Sequence, residues 1–368
     1  MRMLRAALLL LLLPCMATWS QALTVAMINP GRSDEAFWLS ASLATQAAAD
    51  SLGVKLEVLY AEREPARALL IAQQIAQRPS AQRPDYVILV NEKGTLVENA
   101  QTLGAVGIKT FAAYSGLLPQ ERSQWAPRKG LPLLLGSLEP RGRDAGYLTA
   151  RALIQQALDE KRVPSGSRLQ MLAIAGDRST PTSIQRNEGL RQAVAEYPQV
   201  ELKETVFADW RRDLAKSKIR TLLQRHPQVQ LLWTASDQMA LGAVDAMEAQ
   251  GLRPGRDLLV SSINTSTEAL QARIDGRFSA LAGGHFMTGA WALVMIYDHA
   301  HGRDFSDEGL EQVRPMFVLF DPAQAGQFLT RFGQGSSPDL GKLDFRPHSK
   351  HLNPQLKRYS FGIEAWLK

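Results

Sequence analysis

The stretch VQLLWTASDQMALGAVDAMEAQG, residues 229–251, decides the architecture. An apolar run from Val229 breaks at Ser236 and Asp237, and a segment of helical period follows from Met239. A short apolar run bounded by turn residues and followed by an amphipathic stretch predicts a buried strand feeding a helix. The same unit recurs along the chain. LTVAMI (23–28) precedes a helix to about Leu52, and VKLEVLY (54–60) precedes AEREPARALLIAQQIAQR (61–78), with Pro65 at a first helical position. DYVILV, a helix to Val106 and IKTFAA follow. A second series runs through LPLLLGS, LQMLAIAG, VELKETVF, VQLLWTA, LLVSSI, SALAGG and MFVLF. Alternation of this kind predicts an α/β protein with parallel sheets covered by helices on both faces.

Length and composition narrow the class. The chain has 368 residues and opens MRMLRAALLLLLLPCMATWSQA, with two arginines, a Leu-rich run and small residues at Ser20 and Ala22. That pattern is expected to be a secretory signal, residues 1–22, cleaved near Ala22. Its apolar run is too short for a membrane span of about 20 residues. Cys15, the single cysteine, lies inside it, so the mature chain folds without disulfides, which its length permits. The formal charge of +6 falls to +4 when Arg2 and Arg5 leave. The remaining charges are interleaved, as in DWRRDLAKSKIR, the pattern of solvated helix faces. No basic block, zinc spacing or helix-turn-helix signature points to nucleic acid. Two domains and a periplasmic location follow as expectations.

In such sheets ligands bind where loops gather at the carboxyl ends of the strands. NPGRSDEAFW (29–38) occupies that place after the first strand. Adjacent helical residues point about 100° apart, so Phe37 and Trp38 cannot both centre on one buried stripe, and at least one is expected to face a cleft. The competing role is a pair of core or staple aromatics. Asn91, Tyr114, Ser115, Trp210, Ser236, Asp237 and Asn264 stand at equivalent strand ends. Each has a plainer alternative: Asn91 and Asn264 as turn formers, Ser236 or Asp237 as a helix N-cap, Trp210 as a surface aromatic. Their recurrence in both halves suits a pocket for a small polar molecule with apolar ring faces.

WTASDQMALGAVDAMEAQG resembles the corresponding segment of type I periplasmic sugar-binding proteins, the ribose- and galactose-binding family. DEAFWLSAS and SIQRNEGLRQAV resemble two further segments of that family. The resemblance implies two Rossmann-like doubly wound lobes, three interlobe crossovers and a ligand trapped between the lobes by hinge closure. It places the first lobe at 23–137 plus 284–316, and the second at 138–283 plus 317–368 with a C-terminal extension. Phe37 and Trp38 fall on the aromatic pair that sandwiches the sugar, Trp210 on the second lobe's aromatic, and Asn91 on a hydroxyl-binding asparagine. Tyr114 and Ser115 stand where Asp-Arg is usual, Ser236 where Asn is usual, and Asn264 where Asp is usual. Gly284, beside His285, stands where the ribose binder has Gln. Two customary carboxylates are absent, and a carboxylate accepts charge-assisted bonds that Tyr or Asn cannot copy. Arg186 aligns with an arginine of the periplasmic autoinducer receptor of quorum sensing, so the pocket is expected to be less hostile to an anion. The alternative for Arg186 is an ion pair with Glu188 or Asp177.

An enzyme is not expected. No G-x-S-x-G elbow or metal-ligand helix is present, and GSSPDLGKL misses the phosphate-loop spacing. His299 and His301 diverge on a helix, and a weak metal site near Asp344, His348 and His351 is the remaining candidate. No cofactor and no metal are expected. The expected partners are a small polar or sugar-like ligand and either an inner-membrane ABC permease or a membrane sensor kinase or chemoreceptor. The chain itself is expected to be a monomer.

Overall fold

Apolar runs become strands and periodic segments become helices, alternating along most of the chain. The computed structural model describes residues 22–163, 166–332 and 343–363. The expected leader with Cys15 lies outside these apart from Ala22, as does nearly all of GSSPDLGKL. Strands β1 (Thr24–Asn29), β2 (Lys55–Tyr60), β3 (Tyr86–Leu89), β4 (Lys109–Ala113) and β5 (Leu134–Pro140) come first in the chain. β6 (Leu169–Ala175), β7 (Val200–Phe207), β8 (Leu231–Thr234), β9 (Leu259–Ile263) and β10 (Ala280–Gly283) form the second series, followed by β11 (Glu311–Arg314) and β12 (Val318–Leu319). They build two six-stranded sheets, ordered β2-β1-β3-β4-β5-β11 and β7-β6-β8-β9-β10-β12. All pairings are parallel except β12 against β10. In the first sheet Met27 lies opposite Val58 on one side and Ile88 on the other.

Each sheet therefore reverses its winding beside its first strand, between β1 and β3 and between β6 and β8. A reversal of that kind sends successive helices to opposite faces and opens a crevice at the carboxyl ends of the strands. The helices are α1 (Ala36–Leu52), α2 (Pro65–Gln77), α3 (Leu96–Gly104), α4 (Pro119–Trp125), α5 (Gly142–Asp159), α6 (Pro181–Ala195), α7 (Arg212–Arg225), α8 (Asp237–Glu248), α9 (Thr267–Ile274), α10 (Thr288–Ala300) and α11 (Pro322–Phe332). After β5 the chain enters α5, which packs on α6 and the second sheet. After β10 it returns through α10 to the first sheet, and between β11 and β12 it crosses again. These are the three crossovers of a two-lobed, doubly wound α/β fold. The first lies at 140–142 and not at the expected 137, because Glu139 and Pro140 continue β5 by pairing with Val313 and Arg314 of β11.

α1 buries Trp38, Ala41, Ala44, Thr45, Ala48 and Leu52. That stripe of small side chains lets α1 approach α10 closely. Gly53, at φ 69°, ends the helix by donating its N–H to Ala49 and Asp50 carbonyls. The C-terminal segment departs from expectation. α11 packs on α9 in the second lobe, but residues 343–363 return to the first. Phe345 donates its N–H to Ser51 Oγ of α1 at 3.0 Å, and the rings of Phe345, His348 and Phe361 pack on Trp291 of α10. Buried Asp298 of α10 accepts from Ser349 Oγ, from the N–H groups of Lys350 and His351, and from Tyr359 Oη at 2.8 Å. An apolar helix face with one buried carboxylate needs a cover that supplies donors, and these residues supply it. Ile363 ends against Gly284, beside the second crossover.

Candidate functional site

The loop after β1 is fixed from within. Asn29 donates Nδ2 to Ser42 Oγ (2.9 Å) and Trp38 O (3.3 Å) and accepts from Gly31 N (2.9 Å). The indole of Trp38 lies flat on Gly31: a Cβ there would sit 2.0 Å from Trp38 Cδ1. The second lobe repeats this at the end of its own first strand, where a Cβ on Gly176 would sit 2.3 Å from Trp210 Cζ2. Trp210 holds that position at φ 61° with its Nε1 donating to Asp177 Oδ2 at 2.8 Å. Asp177 also accepts from Ser179 and Thr180, and although burial opposes it, these bonds hold its carboxyl below the usual range. Each lobe thus offers one indole laid over a backbone that only glycine leaves open.

An ion cluster stands behind the first indole. Arg63, at φ 64° after β2, donates Nε and Nη2 to Glu35 (2.9 and 2.5 Å) and Nη1 to Glu92 (2.9 Å). Its guanidinium also lies 5.9 Å from the Trp38 ring centre. Burial opposes the Arg63 charge, but Glu92 and Glu35 outweigh it and raise its pKa. Burial pushes the Glu92 carboxyl up, with Arg63 opposing and Asp177 across the cleft adding to the rise.

In the second lobe, Arg186 of α6 donates Nη1 to Ala235 O (2.6 Å) and Nη2 to His285 Nε2 (2.9 Å). It pairs with neither Glu188 nor Asp177. Burial lowers its pKa to about 9, against the pull of Asp237. His285, on the crossover after β10, stacks on Phe37 (4.8 Å, 25°) and lies 4.4 Å from the Phe317 ring centre. Burial and then the Arg186 charge push it well below the ordinary histidine value. Ser236 is the N-cap of α8, accepting from Met239 N at 3.4 Å. Asp237 accepts from Gln238 N (2.9 Å) and Asn264 Nδ2 (3.0 Å), and burial raises its pKa.

These groups enclose a cavity of about 60 Å³ between the lobes. Among its wall residues Trp38 Nε1, Arg186 Nε, His285 Nδ1, Asp237 Oδ2 and Asn264 Oδ1 have no hydrogen-bond partner among the described residues. Buried polar groups are nearly always paired, and five of the eight unpaired side-chain atoms among the described residues belong to residues that line this one cavity. Ser115 Oγ meets Thr182 Oγ1 at 2.9 Å across the cleft, which identifies a closed arrangement.

The structure brings Phe37, Trp38, Tyr114, Ser115, Arg186, Trp210, Ser236, Asp237, Asn264 and His285 to one wall. Asn91 is not on it. Its Nδ2 donates to Gly116 O (2.8 Å) and Glu121 Oε2 (3.1 Å), so it ties loops together behind the cavity, the turn-forming role. Tyr114 offers the cavity only its ring, because Oη donates to Phe286 O (2.9 Å) and accepts from Gly289 N (3.0 Å). Glu35, Arg63 and Glu92 were missed, although each follows a strand by the same rule that found the others. With them the residues lining the cavity carry three carboxyl groups, Glu35, Glu92 and Asp237, and two guanidinium groups, Arg63 and Arg186. No group of three metal-ligating side chains occurs among the described residues. Nor is any described helix long and apolar enough to cross a membrane.

A periplasmic binding protein domain model matches residues 25–304. The ribose import binding protein of Salmonella typhimurium is 25% identical over 268 residues, 72% of this chain and 79% of that protein. The D-apiose import binding protein of Actinobacillus succinogenes is 28% identical over 135 residues, 37% of this chain and 40% of that protein. A solved periplasmic sugar-binding protein from Pseudomonas fluorescens is 38% identical with a TM-score of 0.83, covering 94% of this chain and 99% of that one.

Proposed function

The chain belongs to the periplasmic binding protein family, and on that premise we propose that its ligand is a neutral monosaccharide or a polyol of that size. It is an extracytoplasmic solute-binding protein that holds a small polar ligand between two lobes. The observation that carries the narrower reading is the make-up of the cavity wall: indoles from both lobes, and residues that carry three unpaired donors and two unpaired acceptors. A sugar hydroxyl donates and accepts at once, and its C–H faces suit an indole. Carboxylates favour hydroxyl donors through charge-assisted bonds and disfavour a second anion. The cavity also limits the ligand to about one ring. The ribose, apiose and sugar-binding relatives are of the same ligand class by name.

The closed form would be presented to an inner-membrane ABC permease, the chain acting as a monomer after its leader is cleaved near Ala22. Closure needs groups from both lobes, and hinge-bending over a ligand is a recurrent transition of such proteins. The second reading, a ligand-sensing subunit for a sensor kinase or chemoreceptor, is favoured by the extra segment 343–363 that covers the first lobe. Calorimetric titration against pentoses, hexoses, polyols and sugar acids tests the ligand. A neutral sugar binding at micromolar affinity with sugar acids at least tenfold weaker is expected, and preferential binding of a sugar acid would overturn the reading. Uptake of that sugar by a deletion strain separates the partners: lost uptake supports the permease, whereas intact uptake with a lost response supports the sensor. Intact mass of periplasmic protein should begin at Leu23.

A further inference from the structure

Arg186 and His285 are both buried, and their contact is asymmetric in chemistry. A guanidinium has five N–H donors and no acceptor. Arg186 Nη2 lies 2.9 Å from His285 Nε2, so Nε2 must supply the lone pair. An imidazole that accepts at Nε2 and is neutral carries its proton on Nδ1. His285 Nδ1 is buried and has no partner among the described residues, yet the ring forms part of the cavity wall. Phe37 of α1, stacked at 4.8 Å, and Phe317 at 4.4 Å hold the plane of the ring, and the Arg186 contact sets which nitrogen faces it. Arg186 is itself held, with Nη1 donating to Ala235 O at 2.6 Å.

We propose that Arg186 is a positioning residue that locks His285 as the Nδ1–H tautomer, so that His285 donates a hydrogen bond from Nδ1 to an acceptor oxygen of the bound sugar. This rests on the sugar-binding reading for the identity of the acceptor. Without the lock the ring would present a lone pair to the ligand in part of the population, and a ring oxygen or carbonyl oxygen could not bond to it. A donor at this point selects ligands that place an oxygen acceptor beside the crossover, while Asp237 and Asn264 select hydroxyl donors.

The test has two arms. Nitrogen-15 NMR of histidine-labelled, ligand-free protein near neutral pH reads the tautomer directly. Wild type and Arg186→Lys, which keeps a donor, should show a protonated Nδ1 at His285, and Arg186→Met should lose that preference. A protonated Nε2 in wild type, or no change in Arg186→Met, overturns the proposal. Calorimetry with the best-binding sugar of the panel reads the consequence. His285→Phe keeps the stack on Phe37 but has no N–H, and should bind roughly tenfold or more weakly, with its thermal midpoint near wild type. Undiminished binding by His285→Phe overturns the donor role. If no sugar binds wild type but the tautomer depends on Arg186, the sugar reading fails and the lock stands.

Discussion

Asp237 and Asp298 are both carboxylates buried at the start or end of a helix, and the structure treats them in opposite ways. Asp298 is surrounded by a hydroxyl, two backbone N–H groups and a phenol, all from residues 349–359. Asp237 accepts from Asn264 and Gln238 on one oxygen and feels the Ser266 hydroxyl, but Oδ2 makes no hydrogen bond of good geometry among the described residues. A satisfied buried carboxylate holds a fold together, and one left half-satisfied on a cavity wall waits for a ligand. Leaving a buried polar atom unpaired costs about 1–3 kcal/mol, a cost that a ligand hydroxyl donating to Asp237 would remove.

The largest effect should come from Asp298→Ala. It strands the hydroxyl, phenol and amide donors of the C-terminal segment together, and should lower unfolding free energy by about 3–5 kcal/mol, as breaking a buried charged network does. Urea unfolding measures it. A loss within experimental error would mean that residues 343–363 contribute nothing to the first lobe. Asp237→Asn should behave in the reverse sense, leaving ligand-free stability equal or higher while weakening sugar binding by about 1.5–3 kcal/mol, the range for a bond to a charged group. If it destabilises the empty protein as Asp298→Ala does, the contrast between the two sites collapses.

Acidification sharpens the same contrast. Burial raises the Asp237 pKa in the folded chain above its unfolded value. The folded state therefore binds this proton more tightly, so stability rises as pH falls through the folded pKa and levels off below the unfolded one. Asp237→Asn removes that dependence. Its stability advantage over wild type should be greatest near neutral pH and shrink towards the ordinary carboxylate range, which thermal melts of the pair across pH would read. The smallest effect should be Tyr114→Phe, which deletes the bridge between Phe286 O and Gly289 N. A loss of about 1 kcal/mol in stability with unchanged sugar affinity is expected. An affinity change as large as that of Asp237→Asn would show that the hydroxyl reaches the ligand after all.

The pairing of Phe37 with Trp38 illustrates how far one-dimensional reading reached. Their place after the first strand led to the expectation that at least one faces a cleft, and both line the cavity, as do Trp210, Ser236, Asp237 and Asn264. The same rule failed at Asn91, where neighbouring positions at a strand end point to opposite sides: Glu92 bonds Arg63 on the cavity side, while Asn91 turns to Gly116 and Glu121. Tyr114 lines the cavity with its ring alone, and no local pattern announces this, because its hydroxyl partners lie more than 170 residues away in the chain.

Strand and helix alternation, the strand-end location of the site and the family resemblance were legible in the sequence, since each depends on local periodicity or on contiguous residues. Three matters belonged to the tertiary structure. The charge of the pocket depended on Glu35, Arg63 and Glu92, which come from three loops and acquire meaning only where β1, β2 and β3 set them side by side. The course of residues 343–363 depended on a buried carboxylate on α10 that no pattern within the segment announces. The donor state of His285 depended on which nitrogen a distant arginine reaches, and a proton's position on a ring is decided by the partner across the fold and not by the residue that carries it.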